Sequence, residues 1–206
     1  MELREYFRMV GKHSAIFLII VILATLAAFV FTKLQPDSYL GSTTLTVNKG
    51  SSYKQKDVPF YLFDNYYNVQ SSGLFSQIVV NWFESPSLVK EIYDKAGVPL
   101  PNVKQSDMSK IFKAVREEPA TINLSVIDAD KETVSKLINA ASSVIQEKTD
   151  DLGKNSESFY EISKFPSLVT SNNPNIVLNT FIGLIAGLLL GVIFTLGIEY
   201  FKSGKR

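Results

Sequence analysis

Two long uncharged runs constrain the fold of this 206-residue chain more than any other feature. The first extends from Ser14 to Thr32 and contains 19 residues, and the second extends from Ile176 to Ile198 and contains 23. At a rise of about 1.5 Å per residue, the second run reaches roughly 34 Å as a helix, and a bilayer's hydrocarbon core is about 30 Å thick. We therefore predict that both runs are transmembrane helices.

The distribution of charge predicts the topology of these two helices. Six basic residues lie in the short tails outside the runs: Arg4, Arg8, Lys12, Lys202, Lys205 and Arg206. The tails carry a net charge of +3, whereas the segment between the runs carries −2. Because cytoplasmic segments are enriched in Lys and Arg, both termini are predicted to be cytoplasmic and the main domain to lie outside the plasma (inner) membrane. The predicted regions are a cytoplasmic amphipathic tail (1–13), transmembrane helix 1 (14–32), an extracytoplasmic domain (33–175), transmembrane helix 2 (176–198) and a second cytoplasmic tail (199–206).

Two parts of the N-terminal region, the first apolar run and residues 1–13, can each be interpreted in two ways. The first run is longer than the apolar core of a signal peptide, and Phe29 and Phe31 stand where small residues would precede a cleavage site, so we expect an uncleaved anchor. In residues 1–13, apolar side chains recur at helical spacing between basic ones. This pattern is typical of an amphipathic helix on the membrane surface, but a continuous extension of the first span fits equally well.

The 143-residue segment between the runs is long enough for one domain with a core of its own. Alternating patterns predict strands over Tyr39–Val47 and Thr121–Ile127. Ser85, Pro86 and Gly97 delimit a helix over residues 86–96, and Asp130 is expected to cap a long helix that ends at Gly153. Two further helical segments are predicted over residues 60–69 and 74–83. The second of these carries an expected core stripe, Leu74, Phe75, Ile78, Val79, Trp82 and Phe83. Residues 158–166 are expected to return to the sheet before Pro166 breaks it. The predicted fold class is α+β, a small sheet with helices on one face.

The sequence predicts no catalytic, cofactor-binding or metal site. It contains no cysteine and a single histidine, His13, which stands at the predicted membrane boundary without an acidic neighbour in the sequence. We interpret His13 as an interfacial polar residue, since a triad or a histidine metal site needs partners. The mildly acidic domain offers no basic surface for nucleic acid. A protein that is not an enzyme is therefore expected.

A row of glycines is the sharpest positive signal in the sequence. Gly183, Gly187 and Gly191 recur at every fourth residue of the second run, so they lie close to one face of a helix. Small residues at this spacing let helices approach closely in a bilayer. The row predicts a helix contact, either between the two spans or with a partner protein.

The order of these elements resembles the polysaccharide co-polymerases, also called chain length determinant proteins. The resemblance is carried by the basic start, the first span, the strand PDSYLGSTTLTV and the helix SPSLVKEIYDKAGV. It continues through the strand–helix unit INLSVIDADKETVSKLINAASSVI and a proline-containing approach to a glycine-rich second span. Members often have several prolines in that approach, whereas here only Pro166 and Pro174 stand there. We expect these two prolines to fix how the domain sits on the membrane. The absence of the long helices of Gram-negative members makes the chain similar to the short class of Gram-positive capsule and exopolysaccharide systems.

The resemblance implies a homo-oligomer that regulates the chain length or export of a surface polysaccharide: O-antigen, capsule or exopolysaccharide. It also implies contact with a polymerase in the membrane through the glycine face and leaves open contact with the glycan itself. An alternative function is an adaptor for a separate cytoplasmic tyrosine kinase, because residues 199–206 leave no room for a fused one. An extracytoplasmic sensor is a further alternative, although the tails contain no output module.

Overall fold

The computed structural model describes residues 11–50, 64–152 and 159–203. Residues 1–10 of the predicted amphipathic tail (1–13), residues 60–63 of the predicted helical segment 60–69, and Gly153 lie outside these residues. The chain divides into two compact units, Met1–Pro36 with Asn173–Arg206 and Asp37–Asn172. The elements in chain order are α1 (Ser14–Leu34), β1 (Tyr39–Lys49), α2 (Asp64–Phe83), α3 (Pro86–Ala96), α4 (Gln105–Met108), β2 (Phe112–Glu117), β3 (Thr121–Asp128), α5 (Lys131–Asp151), β4 (Tyr160–Lys164), β5 (Leu168–Ser171) and α6 (Ile176–Ser203).

The unit Asp37–Asn172 is built on an antiparallel sheet in which β1 is central. The strand order is β2-β3-β1-β4, and β5 pairs with β1 beyond the end of β4. Thus β4 pairs with residues 45–49 of β1 and β5 with residues 39–42. The chain leaves the sheet between these two strands, at Phe165–Ser167, where Pro166 can donate no ladder hydrogen bond. The predicted return of residues 158–166 to the sheet is confirmed for β4, whereas β5 was not predicted.

Helices α2 and α5 cover one face of this sheet, which confirms the predicted α+β class. Every second residue of β1 and β3 is buried beneath them, because side chains alternate between the faces of a strand. The centre of the core combines strand and helix residues: Leu45, Val47, Ile122, Leu124, Val126, Val134, Leu137, Ile138, Val144 and Ile145. Gly41 lets α5 approach β1, since a Cβ atom at Gly41 would lie 2.5 Å from Val134 Cγ1.

The predicted helix ends are confirmed at α3 and at the start of α5. Helix α3 has Pro86 in its first turn and ends at Gly97, whose φ of 64° is a left-handed conformation that favours glycine. At the start of α5, the backbone N–H of Thr133 donates to Asp130 Oδ2 at 2.8 Å. This hydrogen bond holds the pKa of the Asp130 carboxyl below its ordinary value, since it stabilises the charged form.

The predictions for the helix before α3 were wrong in two respects. The two segments expected over residues 60–69 and 74–83 are one continuous helix, α2, within the part of the chain that the structure describes. Two members of the expected core stripe, Leu74 and Ile78, are exposed (63% and 48%), whereas Phe75, Val79 and Phe83 are buried. The predicted core stripe was too wide, because α2 packs on the sheet along one narrow face only.

Candidate functional site

The glycine row of α6 packs against α1. A Cβ atom at Gly183 would lie 2.3 Å from Ala28 Cβ, and one at Gly187 would lie 3.1 Å from Val21 Cα and Ala24 Cβ. A Cβ atom at Gly191 would lie 2.7 Å from the ring of Phe17. Of the two partners that the sequence left open, the structure therefore brings the first span to this row.

The row on α6 is longer than the three glycines. Thr195 follows Gly191 by four residues and is fully buried, as the glycines are. On α1, Ala24, Ala28 and Thr32 repeat the same four-residue spacing, and this second row was not predicted. Apart from Phe17 and Val21 of α1, both helices thus present small side chains to each other, the arrangement by which membrane helices approach closely.

The hydroxyl groups in the helix pair are bonded within their own helices. Thr195 Oγ1 donates to the carbonyl oxygen of Gly191 at 2.8 Å, and Thr32 Oγ1 donates to that of Ala28 at 2.7 Å. Thr25 Oγ1 donates to the carbonyl oxygen of Val21 at 2.8 Å. Because these hydroxyls are satisfied locally, the two helices are held together by close packing rather than by these hydroxyls.

Charged groups join the two helices at one end. Lys12 Nζ lies 2.6 Å from Glu199 Oε1, and His13 Nε2 lies 2.9 Å from Glu199 Oε2. His13 has no acidic neighbour in the sequence, but the structure gives it an acidic partner, Glu199. The two partners are 186 residues apart, and no local pattern links them.

The two prolines before the second span lie in different parts of the fold. Pro166 lies between β4 and β5, and the strand β5 separates it from the second span. Pro174 lies in the short segment before α6, where Asn175 Oδ1 accepts a hydrogen bond from the backbone N–H of Leu178 at 3.1 Å. The structure does not bring these two prolines together, and their expected role in setting the domain on the membrane stays a prediction.

The outward sides of α1 and α6 are apolar. Large side chains such as Leu23 and Leu189 are exposed (59% and 63%), and only 11% and 22% of the most apolar stretches of the two helices are buried. Helices in the core of a soluble protein would be mostly buried. Both helices are long and apolar enough to cross a membrane. No group of three His, Cys, Asp or Glu side chains in the described residues is placed to hold a metal ion.

These features define a class: proteins in which two apolar helices flank one α+β domain in the sequence. The family model described as Wzz, chain length determinant protein, matches residues 1–96, which include α1, β1, α2 and α3. The chain is 29% identical over 203 residues to a probable capsular polysaccharide biosynthesis protein, YwqC, of Bacillus subtilis (strain 168). That alignment covers 95% of this chain and 77% of the relative. The predicted resemblance to the chain length determinant family is confirmed by the match over residues 1–96.

Proposed function

We propose that this chain is a non-enzymatic membrane co-polymerase that regulates the chain length or export of a surface polysaccharide. One observation carries the proposal: the chain aligns over 95% of its length with a relative named as a probable capsular polysaccharide biosynthesis protein. The match of residues 1–96 to the chain length determinant family points to the same role. In this proposal the domain Asp37–Asn172 lies outside the cytoplasm, and both tails lie inside it, as the basic residues of the tails favour.

We further propose that the protein is a homo-oligomer. Three exposed apolar side chains, Tyr67, Leu74 and Ile78, follow one face of α2. Large apolar side chains that are grouped on a domain in water mark sites of protein contact. A second copy of the chain is the partner that the resemblance favours, and this face supports that contact.

The glycine row has a more restricted role in this proposal than the sequence suggested. Because Gly183, Gly187 and Gly191 pack against α1, a polymerase in the membrane would meet the outward surface of the helix pair. The row would then act on the polymerase indirectly, by fixing the relative position of the two spans that form that surface. Lys12 and Glu199 would fix the same helices at one end.

Deletion of the gene and electrophoresis of the surface polysaccharide test the proposed function. The expected result is a changed length distribution or a reduced yield, restored when the gene is supplied on a plasmid. A plasmid without the gene is the control. An unchanged distribution and an unchanged yield in the deletion strain would exclude a co-polymerase role.

A second candidate function is an adaptor for a separate cytoplasmic tyrosine kinase. The bonds of Lys12 and His13 to Glu199 favour it, because they bring together the ends of the two spans that carry the tails. A kinase that binds both tails would meet Lys12 and Glu199 next to each other. Co-expression with a kinase encoded beside this gene, followed by a phosphotyrosine blot, tests this. Autophosphorylation that is the same with Glu199→Gln and with the wild type would count against an adaptor that depends on this pairing.

A further inference from the structure

A shallow groove lies on the face of the sheet that no helix of the described residues covers. Its volume is about 410 Å³, within the range of roughly 300–1,000 Å³ that is typical of small-molecule sites. The groove lies where the chain leaves the sheet between β4 and β5. Its lining residues are Ser42, Thr43, Thr44, Asn123, Leu124, Ser125, Phe165, Pro166 and Leu168.

The strand register arranges the polar side chains of the groove in two rows. Ser125 of β3 pairs with Ser42 of β1, and Asn123 pairs with Thr44. Paired residues of antiparallel strands point to the same face, so these three hydroxyls and one amide stand together on the uncovered side. They offer both donors and acceptors of hydrogen bonds.

On the side of β4 and β5, the two rows of polar side chains end at an apolar wall formed by Phe165 and Leu168. Leu168 pairs with Ser42, and the backbone N–H of Phe165 donates to the carbonyl oxygen of Thr44 at 2.9 Å. Both side chains are largely exposed to solvent, Phe165 at 59% and Leu168 at 62%. The groove thus combines two exposed apolar side chains with a row of hydroxyl groups.

Hydrogen bonds fix the side chains of Thr44 and Asn123 and the backbone of Phe165 in the groove. Thr44 Oγ1 donates to Asn123 Oδ1 at 3.0 Å, and Asn123 Nδ2 donates to Glu117 Oε1 at 2.6 Å, which fixes the orientation of the amide. Thr43 Oγ1 donates to the carbonyl oxygen of Phe165 at 2.8 Å. The backbone of Phe165 is thus bonded on both sides, and a site fixed in this way loses less entropy when a ligand binds.

From this arrangement we infer that the groove binds sugar residues of the polysaccharide on which the protein acts. A sugar ring carries hydroxyl groups around its edge and a patch of C–H groups on one face. The C–H face would lie on Phe165 and Leu168, and the hydroxyl groups would bond to Ser42, Thr44 and Ser125. Among the described residues no charged side chain lines the groove, which favours uncharged sugar residues over phosphate or uronate groups. The identity of the polymer, but not the chemistry of the site, rests on the proposed function.

Binding of polymer fragments by the full chain in lipid nanodiscs tests the inference. The probe is the surface polysaccharide of the strain that encodes this chain, cleaved to short oligosaccharides by mild acid and observed by saturation-transfer NMR. We expect the wild type to bind the fragments and Phe165→Ala to bind about ten-fold more weakly, a loss of about 1.4 kcal/mol, because the substitution removes the ring on which the C–H face of the sugar would lie. Phe165→Tyr, which keeps the ring, should bind within about two-fold of the wild type.

Phe159→Ala is the matched control, because Phe159 is also exposed (44%) but does not line the groove. Its binding should equal that of the wild type. The fluorescence of Trp82, which packs edge-to-face on Phe75 in the core, reports whether each variant is folded. No binding by the wild type, or equal binding by folded Phe165→Ala, would overturn the inference.

Three further outcomes distinguish the sugar site from a contact between copies and from the proposed function. If Phe165→Ala lowers the mass of the solubilised oligomer and fragments do not bind, the groove is a contact between copies and the sugar site is excluded. If deletion of the gene changes the polysaccharide but the wild type binds no fragment, the proposed function stands and the sugar site fails. If fragments bind but the deletion strain is unchanged, the site stands and the proposed role fails.

Discussion

The two units of the molecule bury opposite kinds of side chain. In the helix pair, the buried positions of α6 are small, and the exposed ones include Leu178, Ile182, Leu189 and Phe194. In the domain Asp37–Asn172, the largest fully buried side chains include Phe83, Leu45, Ile92, Leu124 and Leu137. Its uncovered sheet face carries hydroxyl and amide groups instead.

This inversion, with small buried side chains in the helix pair and large ones in the domain, follows from the solvent of each unit: lipid for the helices and water for the domain. Water drives large apolar side chains into a core, at roughly 25 cal/mol per Å² of apolar surface removed from it. Lipid tails are as apolar as leucine, so helices in a bilayer gain nothing by hiding large side chains from them. They associate where their backbones can approach, which selects Gly, Ala and Thr at the contact. The inversion thus supports a membrane environment for the helices independently of their length.

The largest expected effect is in the core of the domain. Leu137→Ala should lower the free energy of unfolding by about 2–5 kcal/mol, because Leu137 is fully buried and the substitution leaves a cavity. Denaturant unfolding of the full chain, followed through the fluorescence of Trp82, measures this change.

The matched control is Leu74→Ala, in the same domain and also on a helix. Leu74 is 63% exposed in the single chain, so in separated copies its truncation should change the free energy of unfolding by less than about 0.5 kcal/mol. In the assembled protein, a larger loss for Leu74→Ala would mean that another copy covers this face of α2, which would support the proposed contact between copies.

In the helix pair, the replacement of a small side chain by a large one should be disruptive. Gly187→Leu places a large side chain where even a Cβ atom would lie 3.1 Å from the backbone of α1. We expect it to weaken the pairing by about 1–3 kcal/mol, the usual cost of overpacking. Spin labels on cysteines introduced at Leu23 and Leu189 should report a helix separation larger by roughly 2 Å. The chain has no native cysteine to interfere.

Gly197→Leu is the control for this prediction. Gly197 lies on the same helix, and no atom lies within 4 Å of a Cβ added there. The label distance should therefore remain that of the wild type. If Gly187→Leu also left the distance unchanged, the glycine row would not define the helix contact, and the inversion between the two units would lose its main support.

Much of the fold could be predicted from the sequence because its signals are local. The alternation of Thr121–Ile127, the cap at Asp130 and the left-handed end at Gly97 each depend on neighbouring residues only, and the structure has all three. The strand β5 is only four residues long and follows Pro166 closely, so no periodic pattern in the sequence predicts it. The exposure of Leu74 depends on which face of α2 meets the sheet, a tertiary fact that helical spacing does not contain.

The candidate sites show the same limit. The glycines gave a local signal because they share one helix, but their partner residues Ala24 and Ala28 lie far away in the sequence. The pairing of His13 with Glu199 and the groove beside Phe165 both join segments more than 100 residues apart. Register between distant strands creates the groove, and one sequence does not specify that register.

The smallest expected effect concerns the helix caps of the two units. Asp130 caps α5 in the domain with a carboxylate, whereas Asn175 caps α6 with an uncharged amide. The pKa of Asp130 is lowered in the folded state by the hydrogen bond from Thr133. Its stabilising contribution is therefore present above the pKa of the unfolded chain, near 3.8, and is lost as the pH falls through the lower pKa of the folded state.

Asp130→Ala should lower the unfolding midpoint of the domain by about 3 °C at pH 7, and by progressively less as the pH falls below 4. Asp130→Asn keeps a capping oxygen without a titrating charge, so its midpoint should stay near that of the wild type at pH 7 and should lack this part of the pH dependence. Asn175→Ala should leave the midpoint of the domain unchanged at every pH. Thermal scans of Trp82 fluorescence between pH 2 and 7 measure all three variants. A difference between Asp130→Ala and the wild type that does not shrink in acid would show that the cap acts without its charge, and the two units would then not differ in this respect.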